Sequence, residues 1–469
     1  MLFSSYSFLL IALPLLIIVY YILPQRFRNI CLLFASLGFY AWSGAKYLLI
    51  MFASILVNYL FAILISECKK PAFRTLAMTA GVVADLLILG YFKYYMFLVE
   101  NINSIFDAGI GVRNIVLPIG ISFYTFQGMS YIIDVKRGTT GVQKNILKLA
   151  LYISLFPQLI AGPIVRYTAI RDEIDSRSVD AASMENGIFR FVIGLSKKVL
   201  IANTIGEYAA ACFSAGEARL SIVTAWLGAI AFTLQIYYDF SGYSDMAIGI
   251  GRIFGFHFPE NFNYPYISSS ITEFWRRWHM TLSSWFRDYV YIPLGGNRKG
   301  LARQIVNILI VWMLTGFWHG ASYNFILWGL YYGILLMIEK IVSTKFDVRL
   351  PGWIKHVVTL VLIVIGWVIF QADDLSHAAY YLRAMFDVHT NRRLFLIQFR
   401  RFIDEQGVVL FSAILGSTPL VSSVAKKVMS KMRGGVAVAV KTGVFLALLF
   451  LCVMRIVVSS YNPFIYFRF

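Results

Sequence analysis

Charge is what this chain of 469 residues has least of: Asp, Glu, Lys and Arg together make up 14% of it, against 59% hydrophobic residues. A water-soluble fold of that length has too little interior to hide so much apolar surface, so a mean hydropathy of +0.70 reads as a polytopic membrane protein. Acidic residues are scarcest, 24 against 42 Lys and Arg, which leaves a net charge of +18. The basic residues lie in short runs between apolar stretches and not along one amphipathic face. That distribution argues against nucleic acid as a partner and for anionic membrane lipid. Only four cysteines occur, Cys31, Cys68, Cys212 and Cys452, each isolated, which supports neither a disulfide framework nor a metal site. The opening MLFSSYSFLLIALPLLIIVYYILP lacks a basic leader and a small-residue cleavage site, so it reads as a retained first span. With no fixed-period repeat and no low-complexity linker, one domain over 1–469 is expected.

What the chain does have is a succession of apolar stretches. After the first, spans are expected near 30–44, 46–66, 75–99, 115–135, 187–213, 221–250, 303–318, 322–343, 356–371, 407–425 and 442–460, with a long loop at 372–405. The segment 146–165 carries Pro157, Gly162 and Pro163 in its second half and is followed by Arg166, Arg171 and Arg177. A re-entrant or broken helix is expected there, which lipid tolerates only under cover of protein or water. The fold class is therefore all-α, a polytopic helical bundle of about 11–13 membrane segments, some re-entrant or broken. Basic loops at 25–29, 67–74, 136–144 and 426–441 are expected in the cytoplasm, which puts the N-terminus and the tail 461–469 outside and makes the protein a multi-pass protein of the cell membrane. Arg383, Arg392, Arg393, Arg400 and Arg401 in the long loop run against that rule. Within 221–250 the run QIYYDFSGYSD holds Asp239 and Asp245 at membrane depth, where a carboxylate costs roughly 2.5–3.5 kcal/mol and calls for a partner or a cavity.

Three of the six histidines fall between Arg252 and Gly329. There Ser270-Ile271-Thr272-Glu273 is a capping box, and Trp278, Leu282, Phe286 and Val290 recur every four residues, with Arg276, Arg277 and Arg287 off the stripe. One amphipathic helix at the cytoplasmic interface is expected. Pro293-Leu294-Gly295-Gly296-Asn297-Arg298-Lys299-Gly300 then reads as a turn with open backbone and positive charge suited to phosphate. His279 lies on the helix and His319 in Trp318-His319-Gly320 at the end of the next apolar segment. A histidine in such a place is a packing residue or a proton carrier, because imidazole titrates near neutrality. Nothing close in sequence completes a metal site around His319.

These residues carry a resemblance. FNYPYISSSITEFWRRWHMTLSSWFRDYVYIPLGG followed by FWHGASYNFILWG resembles the membrane-bound O-acyltransferase (MBOAT) family, in its bacterial branch that acylates cell-envelope polysaccharides such as alginate, peptidoglycan and cellulose. The likeness extends to the MLFSSYSFL start and to SGYSDMAIGIGRIFG. It implies a central tunnel with His319 as the essential histidine and His279 nearer the cytoplasmic mouth. It implies a cytoplasmic thioester donor, acetyl-CoA or another acyl thioester, with no permanently bound cofactor. An extracytoplasmic acyltransferase partner and an envelope polysaccharide acceptor follow from it as well. Candidate donor- and substrate-binding residues are then Trp275, Arg276, Trp278 and Asn324, with Gly295, Gly296 and Arg298 in the turn. The tail Phe464-Ile465-Tyr466-Phe467-Arg468-Phe469 reads either as an interfacial aromatic anchor or, by likeness to a small protein of the related teichoic-acid system, as an acyl-accepting tyrosine motif centred on Tyr466. The rival from another class is a transporter or flippase of the same pathway using Asp239 and Asp245, against which stands the lack of inverted halves.

Overall fold

A computed structural model describes residues 3–216, 220–346, 350–387, 392–459 and 461–465. Tyr466 lies outside the described residues. Every regular element among them is helical: α1 (Leu13–Ile22), α2 (Gln25–Ala41), α3 (Tyr47–Glu67), α4 (Pro71–Phe106), α5 (Ile121–Arg137), α6 (Ile146–Ser154), α7 (Phe156–Leu159), α8 (Tyr167–Asp175), α9 (Ala181–Ser196), α10 (Asn203–Phe213) and α11 (Ile222–Ile253) form the first part. They are followed by α12 (Ile271–Arg277), α13 (Met280–Phe286), α14 (Gly300–His319), α15 (Tyr323–Lys345), α16 (Gly352–Gln371), α17 (Leu375–Phe386), α18 (Arg392–Gly416), α19 (Leu420–Lys431) and α20 (Gly434–Val458). Six helices, α3, α4, α14, α15, α16 and α20, are long and apolar enough to cross a membrane, and seven if the bent pair α18 and α19 is counted as one span. The other expected segments are shorter, broken or too polar for that criterion. The polar ones turn inward: all but three residues of α5 are buried.

The chain divides into two compact units, residues 1–191 with 244–259, and residues 192–243 with 260–469. In the first, α3, α4 and α5 pack together so closely that a Cβ on Gly128 would meet the Asn58 side chain at 2.5–2.7 Å. Asn58 Nδ2 donates to both carboxylate oxygens of buried Asp85 at 3.1 Å. The broken helix expected at 146–165 is present as α6, a break at Leu155, the single turn α7 and an irregular run, all of it buried from Leu149 to Val165. Arg177, in the basic run that follows, ties several elements together. Its Nε donates to Tyr20 Oη at 3.1 Å and to the Phe254 carbonyl at 2.9 Å, and its Nη1 to Asn29 Oδ1 at 2.6 Å and the Glu173 carbonyl at 3.1 Å. Asp245 has the partner its depth demands, an ion pair with Arg190 at 2.8 Å.

In the second unit, the end of α9 from Val192 runs through a π-helical stretch, Lys197–Ala202, into α10, and it meets α11 at Gly242. Gly242 permits the approach, since a Cβ there would sit 2.7 Å from the Gly194 carbonyl oxygen and 3.1 Å from the Lys198 nitrogen. Asp239 thereby reaches Lys198, forming an ion pair at 2.6 Å with side chains 2% and 3% exposed. Two expectations are corrected in this unit. The stretch 372–405 is no loop: Asp374 caps α17 by accepting from the His377 amide at 2.7 Å, and α18 begins at Arg392. The amphipathic helix from Ser270 is not continuous either, because it breaks at Trp278 and His279 into α12 and α13 and then passes into a π-helical stretch, Arg287–Tyr291.

Candidate active site

The capping box at the start of α12 forms, in altered shape. Ser270 Oγ accepts from the Glu273 amide at 3.0 Å as expected, but the Glu273 carboxylate accepts from the Ser269 amide at 3.0 Å instead of its own cap residue. That bond and the Arg277 guanidinium hold the Glu273 carboxyl below the usual range. A second carboxylate, Glu339 on α15, accepts from the amides of Ile271 and Thr272 at 2.9 and 3.2 Å, so both exposed donors of the first turn are met from another helix.

One turn later the helix stops. His279 takes a left-handed backbone conformation, φ 43°, that costs a non-glycine residue about 1–2 kcal/mol and must be held from outside. The loop at 261–263 holds it: the Met280 amide donates to the Asn261 carbonyl at 2.9 Å, the Asn263 amide to the Arg277 carbonyl at 3.0 Å. Asn261 Oδ1 accepts from Thr281 Oγ1 at 2.9 Å and lies 3.0 Å from His279 Nδ1. With a carbonyl oxygen facing Nδ1, that nitrogen carries the proton and Nε2 keeps the lone pair. Nε2 has no hydrogen-bond partner among the described residues. The ring is 1% exposed, and burial pushes it down to about 3, so it is neutral at physiological pH.

His279 sits edge-on to Phe240 of α11 at 4.7 Å and 6.2 Å from the Trp318 ring. Trp318 in turn lies 4.9 Å from His319, so both histidines neighbour one indole. His319 is the last residue of α14, 6% exposed, with Trp328 and Phe370 edge-on at 5.0 and 5.3 Å. Two glycines set that geometry. A Cβ on Gly316 would strike the Phe325 carbonyl, and one on Gly329 the Trp312 carbonyl, so α14 and α15 meet backbone to backbone beside His319.

The sequence-named residues fall into three places. Trp275 and Trp278 join the histidines in one aromatic cluster, Trp275 against Trp312 at 4.6 Å and Tyr332 at 4.8 Å, Trp278 against Trp367 at 4.8 Å. The indole N–H groups of Trp275 and Trp328 have no acceptor among the described residues. Asn324 is nearby in chain but is spent on structure, its Nδ2 donating to the Ala372 carbonyl at 2.7 Å. Arg276 is exposed, off this cluster. Gly295 and Gly296, at φ 108° and 55°, make a turn pinned by Asn307 Nδ2 on the Gly296 carbonyl at 2.9 Å, with Arg298 exposed. That turn precedes α14 while His319 ends it, and the 20-residue helix puts about 28 Å between them. No group of three His, Cys, Asp or Glu among the described residues is placed to hold a metal ion.

Sequence reasoning missed Asn261 and Phe240, whose contacts to His279 are long-range in the chain, it missed Thr281, which bonds Asn261 beside it, and it missed Lys198 as the partner of Asp239. It also missed how far the C-terminal segment enters this unit. Phe464 and Ile465 are buried, Phe464 stacks obliquely on Tyr243 at 4.8 Å, and the Ile465 amide donates to Asp239 Oδ2 at 2.9 Å. On α11, Asp239 and Tyr243 form the face toward the tail, while Tyr237 and Phe240 form the neighbouring face toward Phe262, Trp278 and His279.

Residues 139–372 match the membrane-bound O-acyltransferase family. The chain is 45% identical over 398 residues to the "Probable alginate O-acetylase AlgI" of Pseudomonas aeruginosa, covering 83% of this chain and 76% of that protein. Its counterpart in Pseudomonas putida is 40% identical over 493 aligned positions that cover both chains fully. The "Peptidoglycan O-acetyltransferase" of Helicobacter pylori is 36% identical over 420 positions, 82% of this chain and 80% of that protein. The chain belongs to the membrane-bound O-acyltransferase family and is an O-acetyltransferase by kind.

Proposed function

We propose that the protein takes an acetyl group from a cytoplasmic acyl thioester, acetyl-CoA, and delivers it for O-acetylation of an extracytoplasmic envelope polysaccharide of the alginate or peptidoglycan type, acting with an extracytoplasmic acyltransferase partner. The observation that carries this reading is the pair of histidines brought against one indole, Trp318, both buried in aromatic surroundings. Acyl transfer from a thioester needs a base for the attacking hydroxyl, an acid for the departing thiolate, and little water. His319 is assigned the first two tasks in turn: it accepts the hydroxyl proton as oxygen attacks the carbonyl carbon, and returns it to sulfur as the C–S bond breaks. His279, held neutral with Nε2 free, assists that proton movement, and the Trp275 indole N–H is a donor suited to the acyl carbonyl. The turn at Gly295, Gly296 and Arg298 is assigned to the donor's phosphates, about 28 Å from His319 along α14, so the donor must lie along that helix to reach both. Tyr466 is assigned as the first acceptor, its acetyl ester passing the group outward with regeneration of the phenol.

The test is His319→Ala, purified and shown by thermal unfolding to be folded, in transfer from labelled acetyl-CoA. Loss of general acid–base help should cost about 10²–10⁴-fold in rate. Transfer at the wild-type rate would overturn the assignment.

A further inference from the structure

The ion pair between Lys198 and Asp239 is almost fully buried, its side chains 3% and 2% exposed, and neither residue belongs to the histidine cluster. Two charges buried together would ordinarily be explained as mutual neutralisation, with each remaining polar valence met by the helices that carry them. Here the remaining valences are met by the tail. Lys198 Nζ donates to the carbonyl oxygen of Pro463, and Asp239 Oδ2 accepts the Ile465 amide at 2.9 Å while Oδ1 faces the lysine. The match is of kind as well as number: the cation takes a main-chain acceptor, the anion a main-chain donor two residues later. Proline suits the first position, because it offers a carbonyl and no N–H that would need a partner. Between the two, the Phe464 ring lies 6.0 Å from Lys198 Nζ and against Tyr243, and one residue earlier Asn462 Oδ1 accepts from Asn203 Nδ2 at 3.2 Å. Lys198 is placed for this by the π-helical stretch Lys197–Ala202 in which it lies and by Gly242, which lets α11 close on it.

We propose that the Lys198 and Asp239 pair is the anchor of the C-terminal segment, gripping the main chain at Pro463 and Ile465. The pair are positioning residues: they touch the backbone of the segment and not the reacting atoms. Their bearing on transfer rests on the carrier reading of Tyr466, but the seating of the segment does not.

The experiment measures hydrogen–deuterium exchange of the C-terminal peptide in the full-length protein in detergent, together with acetylation of intact polysaccharide in cells. Two double variants are compared. Lys198→Met with Asp239→Leu removes both charges at similar volume, so neither is left buried alone. Lys198→Glu with Asp239→Lys keeps an ion pair with its polarity reversed, which sets an ammonium against the Ile465 N–H and a carboxylate against the Pro463 carbonyl. A pair that merely neutralises charge is restored by the reversal; an anchor is not. The expected result is exchange at the Ile465 amide at least about tenfold faster in both variants while α11 amides keep their protection. Protection of that amide at the wild-type level in either variant with α11 intact would overturn the proposal. Should α11 protection be lost as well, the milder Asp239→Asn, isosteric with the native side chain, is read the same way. Tyr466→Phe separates the two readings: if it acetylates polysaccharide normally, the carrier assignment fails while the exchange result stands.

Discussion

His279 joins a backbone constraint to a chemical one. The left-handed φ that ends α12 and the proton on Nδ1 are both secured by Asn261, and the consequence is a neutral imidazole far from water. In the unfolded chain the same ring titrates near 6.5, and in the fold only near 3. Between those values the unfolded chain binds a proton that the native state does not, so this residue's contribution to stability falls as pH drops below about 6.5 and is unaffected above it. Replacing it with Asn, which tolerates left-handed backbone and does not titrate, removes that loss. From pH 7.5 to pH 5 the wild type should lose about 2 kcal/mol more than His279→Asn, read as the difference in their melting temperatures at the two pH values. Equal acid sensitivity in the two proteins would show that the ring is not held neutral by the fold.

The hairpin of α14 and α15 shows how an element delivers a residue to a site. Gly316 and Gly329 let the two backbones touch, and that contact sets Trp328 against His319. Gly316→Ala must push the helices apart, because the atom its Cβ meets is a backbone carbonyl and cannot rotate away. The expected cost is about 1–3 kcal/mol of stability with a fall in transfer rate, whereas Gly333→Ala on the same hairpin, whose nearest neighbour is the Leu309 side chain at 3.2 Å, should be tolerated. Sequence pattern alone carried much of this level. The start of α12 is announced by Ser270 and Glu273, and the break after α6 by Pro157, Gly162 and Pro163, because those signals act within one turn of the backbone. The break at His279 is silent: no proline or glycine marks it, the apolar recurrence at Trp278, Leu282 and Phe286 runs through it, and its cause is Asn261, 18 residues away in the chain. The helix at Leu375–Phe386 was legible in its Asp374 cap but was overshadowed by the surrounding charge. The Lys198 and Asp239 pair shows the same limit from the other side, since a buried aspartate predicts a partner and only packing names it.

At the scale of the whole molecule the scarce charges become informative, because they are distributed by loop. Helix α4 is long and apolar enough to cross a membrane, which predicts 107–120 on the opposite side from 68–70, and a span over 115–135, as read from the sequence, predicts it opposite 138–145 as well. The basic residues decide which side is which. Lys69, Lys70 and Arg74 flank the first connection and Lys136, Arg137 and Lys144 the third, whereas 107–120 holds one arginine, Arg113, against Asp107. Cytoplasmic retention of the two basic connections predicts that 107–120 lies outside the cell. Gly111 and Gly141 are exposed, with nothing within 4 Å of an added Cβ, so a cysteine at either should leave the fold undisturbed. In a chain with Cys31 and Cys68 replaced by serine, Gly111→Cys should react with a membrane-impermeant maleimide on intact spheroplasts, and Gly141→Cys only after permeabilisation. The reverse labelling would invert the orientation, bring the donor and acceptor to the wrong faces, and require the acyl group to travel inward.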